Sequence, residues 1–436
     1  MCIEKNSTDY YNSELTIWIV KLSEQNPGEN KRLERAGSLA EYLSHNGYKV
    51  VWWKSSFSHQ EKKYTVSRLL RRVINKNEEI VFLHCDKAYT KNRSISRLVY
   101  YKRIASLFKK KISEEKNRPD LIFCAWPPAE MAQVSVEYGK KYGIPVIIDC
   151  RDEWPDAFEG IGNGFVNLLI RFAIIPLKIK AKRIFSNASG ITGVAEDSLR
   201  WGCSYAGRTP DKRDRVIFIG NQELNYKDER YLDEITNWGK IGVSNNTWNL
   251  CFFGTLSQQT LDIETCINAV IELSKDYENI RFIIGGTGDM DKYLRKKYSR
   301  YPCIIFTGFL NEIQMNSLMM ISKCGVYSLK NAGFFRNAIS NKAIQYMSAG
   351  IPILTSLSGY MKQLIEDEDI GLYYLEGDID DCKEKIRLLY LNRELQKSQC
   401  KKSKEIFMQT FNSDTINSQF DEYFRSIIGQ ANYNSN

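Results

Sequence analysis

A chain of 436 residues exceeds what one ordinary core accommodates and fits two α/β domains of similar size. Its 43% hydrophobic and 26% charged residues exclude a disordered polypeptide, and its net charge of +9 suits anionic ligands or an anionic membrane face, with no nucleic-acid motif beside it. The eleven cysteines form no CxxC pair, and Cys85, Cys124, Cys150, Cys251 and Cys303 sit in or beside apolar runs; with only His45, His59 and His84 as histidines, neither a disulfide scaffold nor a metal site is expected.

Residues 1–14 are polar and carry no apolar stretch. The most apolar run, 165–177, is interrupted by Asn167 and Arg171 and closed by Pro176, too short and polar to span a bilayer, so a cytoplasmic protein is expected. Residues 15–20 read as a strand buried on both faces. Asn30 can cap a helix carrying Leu33, Ala36, Leu39, Ala40 and Leu43, which stops at Asn46-Gly47. Strands follow at 48–53, 80–84, 121–124, 146–149 and 190–194, with helical stretches between most of them. Repeated βα units of this kind imply a parallel sheet with helices on both faces. Residues 206–247 are polar with a strand-like 216–219, and the strand pattern restarts at 250–254, 280–284, 303–306, 325–327 and 351–354. The expected division is an N-terminal Rossmann-like domain at 1–210, a linker at 211–246, a second Rossmann-like domain at 247–410, and a C-terminal helix and tail at 411–436.

Loops after strand C-termini carry function in such folds, and four of them stand out. The segment 333–352 reads as a loop, a helix over 337–349 and a buried strand. Asn337 is its expected N-cap, and the amides beyond it could receive a phosphate beside Arg336 and Lys342, with Gln345 on the same helix face. That arrangement suits a nucleoside diphosphate; the alternative is a capped amphipathic helix with a solvated lysine. Gly285-Gly-Thr-Gly288 lacks the third glycine of a dinucleotide fingerprint. It is either a turn that admits a phosphate or base, or a purely structural one. Asp149, Arg151, Asp152 and Glu153 crowd a strand end, where a carboxylate could orient or deprotonate a hydroxyl or simply pair with Arg151. Lastly, 93–111 and 165–182 are basic and apolar, with Ile95, Leu98, Arg97, Lys102, Arg103 and Lys111 in the first. They suit either an anionic bilayer or ordinary amphipathic domain surface.

A resemblance follows from motifs taken in order: Asn26-Pro-Gly-Glu29, Gly47-Tyr-Lys-Val-Val-Trp-Trp53, Ile148-Asp-Cys-Arg-Asp-Glu-Trp-Pro-Asp156, Gly254-Thr-Leu256, Ile284-Gly-Gly-Thr-Gly288, and the helix segment ending Gly350-Ile-Pro352. Over residues 15–410 the sequence resembles glycosyltransferase family 4, retaining enzymes of the GT-B fold. It looks most like members that build bacterial O-antigen or capsule. The resemblance implies two Rossmann-like domains facing a cleft, with a nucleotide-sugar, a UDP-sugar, in the second and a lipid-linked saccharide as acceptor in the first. No metal or further cofactor is implied. Carried over by motif, donor binding falls to Gly254, Thr255, Gly286, Gly288, Phe309, Arg336, Asn337, Lys342 and Gln345. Phe309 has a core aromatic as its other reading. Gly28 and Glu29 stand on the acceptor side. Asp152 is the first choice for the catalytic group, Asp149 the reserve, with Arg151 beside them. The sequence departs from the family where Asn337 and Gln345 replace two glutamates eight positions apart, and where Thr255 replaces an arginine. Those departures motivate two rivals, a catalytically inactive GT-B protein and an epimerase-like one; a basic nucleic-acid-binding module is a third.

Overall fold

The computed structural model describes residues 15–27, 33–59, 61–91, 94–159, 164–331 and 339–433. The chain forms two compact units, one comprising Met1–Phe218 with Ile416–Asn436 and the other Ile219–Thr415.

The first unit is built on β1 (Thr16–Val20), β2 (Lys49–Ser55), β5 (Leu70–Asn75), β6 (Glu78–Leu83), β7 (Leu121–Trp126), β8 (Val146–Cys150), β9 (Gly190–Gly193) and β10 (Asp214–Val216); a small hairpin pairs β3 (Phe57–Ser58) with β4 (Lys63–Tyr64). Strand order is β10-β9-β8-β7-β1-β2-β6-β5, parallel throughout except for the antiparallel edge pair β5–β6. Alternation along β1 sends Ile17 and Ile19 to one face and Trp18 and Val20 to the other, and both faces are packed. One face buries Trp53, Tyr100, Ile104 and Phe108. The opposite face buries Leu39, Leu43 and Trp52 together with Phe420, Tyr423 and Phe424 of the C-terminal helix Ser413–Tyr433. That helix returns to the first unit because its stripe Ile416, Phe420, Tyr423, Phe424 and Ile427 recurs at helical spacing and fits the sheet, with the Phe123 and Phe420 rings 5.0 Å apart.

The second unit holds β11 (Trp248–Phe253), β12 (Ile280–Gly285), β13 (Ile304–Gly308), β14 (Cys324–Tyr327), β15 (Ile353–Thr355) and β16 (Gly371–Tyr373) in the order β13-β12-β11-β14-β15-β16, all parallel. This is the doubly wound arrangement, whose order reverses between β11 and β14 and leaves a crevice beyond their C-terminal ends.

Three expectations need correction. Residues 211–246 are not a separate linker: β10 completes the first sheet, while the helix Glu229–Lys240 buries Tyr231 and Trp238 in the second unit, the indole donating to Ser317 Oγ at 2.9 Å. The helix after β14 spans Asn341–Ser348 with Ser340 at its N-cap, so its start lies beyond Asn337, which falls outside the described residues. The first helix runs Arg35–His45 from Glu34 instead of from Asn30, which also lies outside them. β5 went unread because Arg71 and Arg72 interrupt its apolar residues, as befits an edge strand.

Candidate functional site

In the second unit the helix Asn341–Ser348 is pinned over the sheet by Tyr346, whose hydroxyl donates to the carbonyls of Cys251 and Val326, both at 3.2 Å. These two acceptors lie on β11 and β14, so the helix is registered on the strands that flank the switch point. Four residues earlier, one turn toward the start, Lys342 then reaches the C-terminal end of β11. Its Nζ lies 3.8 Å from the centre of the Phe252 ring. It also lies 2.9 Å from where a Cβ on Gly254 would stand. Among the described residues no oxygen accepts a hydrogen bond from this ammonium. Burial pushes its pKa down to about 7. An ammonium with no oxygen acceptor among the described residues, at a switch-point crevice, has its charge available to an anion. Gln345, half-buried, is on the same helix, and Thr255 is exposed at the strand end.

The loops after β11 and β12 lie backbone against backbone. Gly254 N donates to Gly285 O at 3.0 Å and Leu256 N to Thr287 O at 3.0 Å. A Cβ on Gly286 would fall 1.8 Å from Gly254 O, and one on Gly288 2.1 Å from Leu256 O. Both positions therefore require glycine for loop-on-loop packing. Phe309, after β13, is 78% exposed, which removes the core-aromatic reading. Arg336 and Asn337 lie outside the described residues, as do Gly28 and Glu29.

In the first unit the strand ends carry a buried ion network. Asp149, at the end of β8, accepts from Arg35 Nη2 at 2.9 Å and Nε at 3.1 Å, from Arg151 Nε at 2.9 Å and from Thr192 Oγ1 at 2.8 Å. Both oxygens are committed, and Arg35 and Arg151 hold the carboxyl well below the usual range against the opposing effect of burial. Arg151 Nη1 also donates to Glu24 Oε1 at 2.6 Å, and Glu24 Oε2 accepts the amides of Ala36 at 2.8 Å and Gly37 at 3.3 Å. The ion pair anticipated for this loop is thus made by Asp149, which has no lone pair left for a substrate proton, whereas Asp152 stands exposed on the loop beyond it. Sequence reasoning missed Lys21, Glu24 and Arg35. Lys21 carries the signal that drew attention to Asp149, a charge at the end of an apolar strand, whereas Glu24 lies four residues beyond β1. Beside the network, Glu24, Asn26, Lys54, Ser58, Lys63 and Thr65 line a cavity of about 350 Å³.

The basic helices behave differently from one another. Ile95–Glu114 spends its stripe Tyr100, Ile104, Phe108 and Ile112 on the core, leaving only Ile95, Leu98 and Val99 exposed at its start. Gly164–Ala173 and Ile175–Ser186 keep Leu169, Phe172 and Ile179 outside, at 55%, 63% and 58% exposure, near the exposed Lys182 and Arg183. No helix among the described residues is long and apolar enough to cross a membrane.

Residues 247–392, which lie within the second unit, match the family model described as "Glycosyl transferases group 1". An uncharacterized glycosyltransferase of Methanocaldococcus jannaschii is 25% identical over 169 residues, 38% of this chain and 42% of that relative, so the match spans less than half of the relative's length. Similar solved structures cover nearly the whole chain. Anabaena HepE in complex with UDP has a TM-score of 0.60 at 16% identity, over 94% of this chain and 100% of that one. Sucrose-phosphate synthase from Thermosynechococcus elongatus has a TM-score of 0.65 at 13% identity, over 95% and 100%. An α,α-trehalose-phosphate synthase (UDP-forming) from Burkholderia vietnamiensis has 0.66 at 10% identity, over 96% and 100%. The fold is GT-B, with two Rossmann-like units. The family match supports a glycosyltransferase.

Proposed function

We propose that this chain transfers a sugar from a nucleotide-sugar, a UDP-sugar, to a hydroxyl of a lipid-linked saccharide in surface polysaccharide synthesis, with retention, as a member of family 4. The observation that carries this reading is the ammonium of Lys342, which has no oxygen acceptor among the described residues, at the switch point of the unit that contains the match to the glycosyltransferase family. There it neutralises charge on the departing diphosphate without help from a metal, joined by Arg336 and by backbone amides of the segment from Asn337 onward. Gly254, Thr255, Gly286 and Gly288 border the phosphates, Gln345 accepts from a ribose hydroxyl, and Phe309 offers an exposed ring to the base. UDP is favoured because Anabaena HepE was crystallised with UDP and with UDP-glucose.

In the first unit Asp152 is the group that orients or deprotonates the acceptor hydroxyl, being the carboxylate of this loop that is exposed. Asp149 and Arg151 hold the loop in place, and Gly28 and Glu29 complete the acceptor side. The apolar helices 164–186 and the start of 95–114 rest on the anionic face of a membrane, where a lipid-linked acceptor would be presented.

Incubation of the purified protein with a panel of UDP-sugars and lipid-linked saccharides, followed by mass spectrometry, tests the reading. A product heavier by one sugar supports it. Binding of UDP without turnover would instead identify the inactive rival that Gln345 and Asn337 motivate, and an altered donor with no transfer the epimerase-like one.

A further inference from the structure

The cavity of about 350 Å³ in the first unit lies beyond the C-terminal ends of β1 and β2, the edge of a parallel sheet where ligands bind. The hairpin β3–β4 supplies one wall, with Ser58 paired to Lys63 and the Thr65 amide donating to Ser56 O at 2.8 Å. Lys63 and Thr65 are exposed, so the cavity is reached from solvent on that side. On the opposite side Glu24 joins it to the loop after β8, since Glu24 Oε1 accepts from Arg151 Nη1 at 2.6 Å and Arg151 directly precedes Asp152.

The lining is polar yet carries no surplus charge. Its two carboxylates, Glu24 and Glu61, are matched by two ammonium groups, Lys54 and Lys63. Lys63 pairs with Glu61 at 2.9 Å, and Lys54 Nζ donates to Glu24 O at 2.9 Å and to Asn26 Oδ1 at 2.5 Å. The hydroxyls are placed differently. Ser23 Oγ accepts the amide of His59 at 3.3 Å and Ser58 Oγ that of Glu61 at 3.2 Å, so each keeps its own proton to donate, and among the described residues neither has an acceptor for it. Leu22 and Phe57 add apolar surface, the Phe57 ring being held by edge contacts with Tyr64 and Tyr89 at 5.4 and 5.1 Å. A small cavity with an apolar wall, hydroxyl donors and balanced charge has the chemistry of an uncharged sugar ring.

We propose that this cavity is a subsite for a neutral pyranose of the acceptor. The inference rests on the transferase reading and deepens it, because it specifies the sugar recognised in the first unit as uncharged and seats it next to the loop that carries Asp152. An anionic sugar would bring a charge that the lining does not complement, since both ammonium groups already bond to the chain.

The test is saturation-transfer NMR on the full chain with methyl α-glucoside, methyl β-galactoside, methyl α-mannoside and glucuronate, in the wild type and two variants. Thr65→Trp fills the cavity from an exposed position, and Ser58→Ala removes one donor without adding bulk; circular dichroism verifies folding. A signal from a neutral glycoside that is lost in Thr65→Trp or weakened in Ser58→Ala supports the subsite. Silence from all the neutral glycosides, a stronger signal from glucuronate, or a neutral signal unchanged in both variants overturns it. UDP titrated by calorimetry into the wild type is the separate readout. UDP binding without glycoside binding would discard the subsite and keep the transferase reading, and glycoside binding without UDP binding would do the reverse.

Discussion

A Cβ on Gly254 would stand 2.9 Å from Lys342 Nζ, so the ammonium at the end of β11 occupies space into which a side chain at this position would intrude. Gly254→Ala is therefore expected to displace the ammonium, and at φ +150 the new residue is also strained. UDP affinity should fall about ten-fold, the size of one charge-assisted hydrogen bond, and Lys342→Met should match it. Calorimetric titration decides this; wild-type affinity in both variants would remove Lys342 from the donor site.

Nucleotide binding should also depend on pH in a defined direction. In the free protein Lys342 titrates at about 7, and a bound diphosphate favours the ammonium and raises that value. Affinity is then full below pH 7 and weakens as pH rises above it, by at most about ten-fold per unit. Titrations between pH 7 and 9 should show this decline in the wild type and a flatter profile in Lys342→Met.

The two aspartates of the β8 loop should separate cleanly. Asp149→Asn leaves the buried Arg35 and Arg151 without their shared counter-charge and should cost about 3 kcal/mol of stability. Asp152→Asn, at an exposed position, should change urea unfolding by less than about 0.5 kcal/mol while slowing transfer more than it weakens UDP binding. Wild-type turnover in Asp152→Asn would exclude Asp152 from the reaction.

Glu78, at the start of β6, is buried with one oxygen unpaired, and its pKa is pushed up to about 7 by burial first and by Glu41 second, against hydrogen bonds from Ser44 and Asn75. The folded chain keeps a proton that the unfolded chain releases near 4.5, so this residue costs stability progressively as pH rises from 4.5 through 7. Glu78→Gln should be close to neutral at pH 4.5 and stabilising at pH 8, by as much as about 3 kcal/mol. Denaturant unfolding at both pH values checks the sign.

Phe172→Asp and Ile179→Asp alter side chains that the core does not use, so stability should move by less than about 0.5 kcal/mol. Sedimentation with phosphatidylglycerol–phosphatidylethanolamine vesicles should nevertheless drop in both, and in the wild type at high salt. Undiminished sedimentation would leave the exposed helix pair without a membrane role.

Much of this protein was legible in the residue order. Apolar runs such as those of β1, β8 and β11, punctuated by Gly47, Gly254 and Gly350, encode buried parallel strands because side-chain periodicity and turn chemistry act over a few neighbours. Those runs, restarting near residue 250, also led to two Rossmann-like units, and the strand ends drew attention to Lys342 and Asp149. What tertiary structure alone decided is which charges are spent. Arg35 and Asp149 are 114 positions apart, yet their ion pair takes Asp149 out of contention and leaves Asp152 exposed. The same holds for the C-terminal helix, whose stripe fits any apolar face until Phe123 and Phe420 meet, and for Phe309, which hydrophobicity would bury and the fold leaves outside. Local pattern sets the elements; the partner of a buried charge is chosen by the fold, because its energy depends on distances that chain order does not contain.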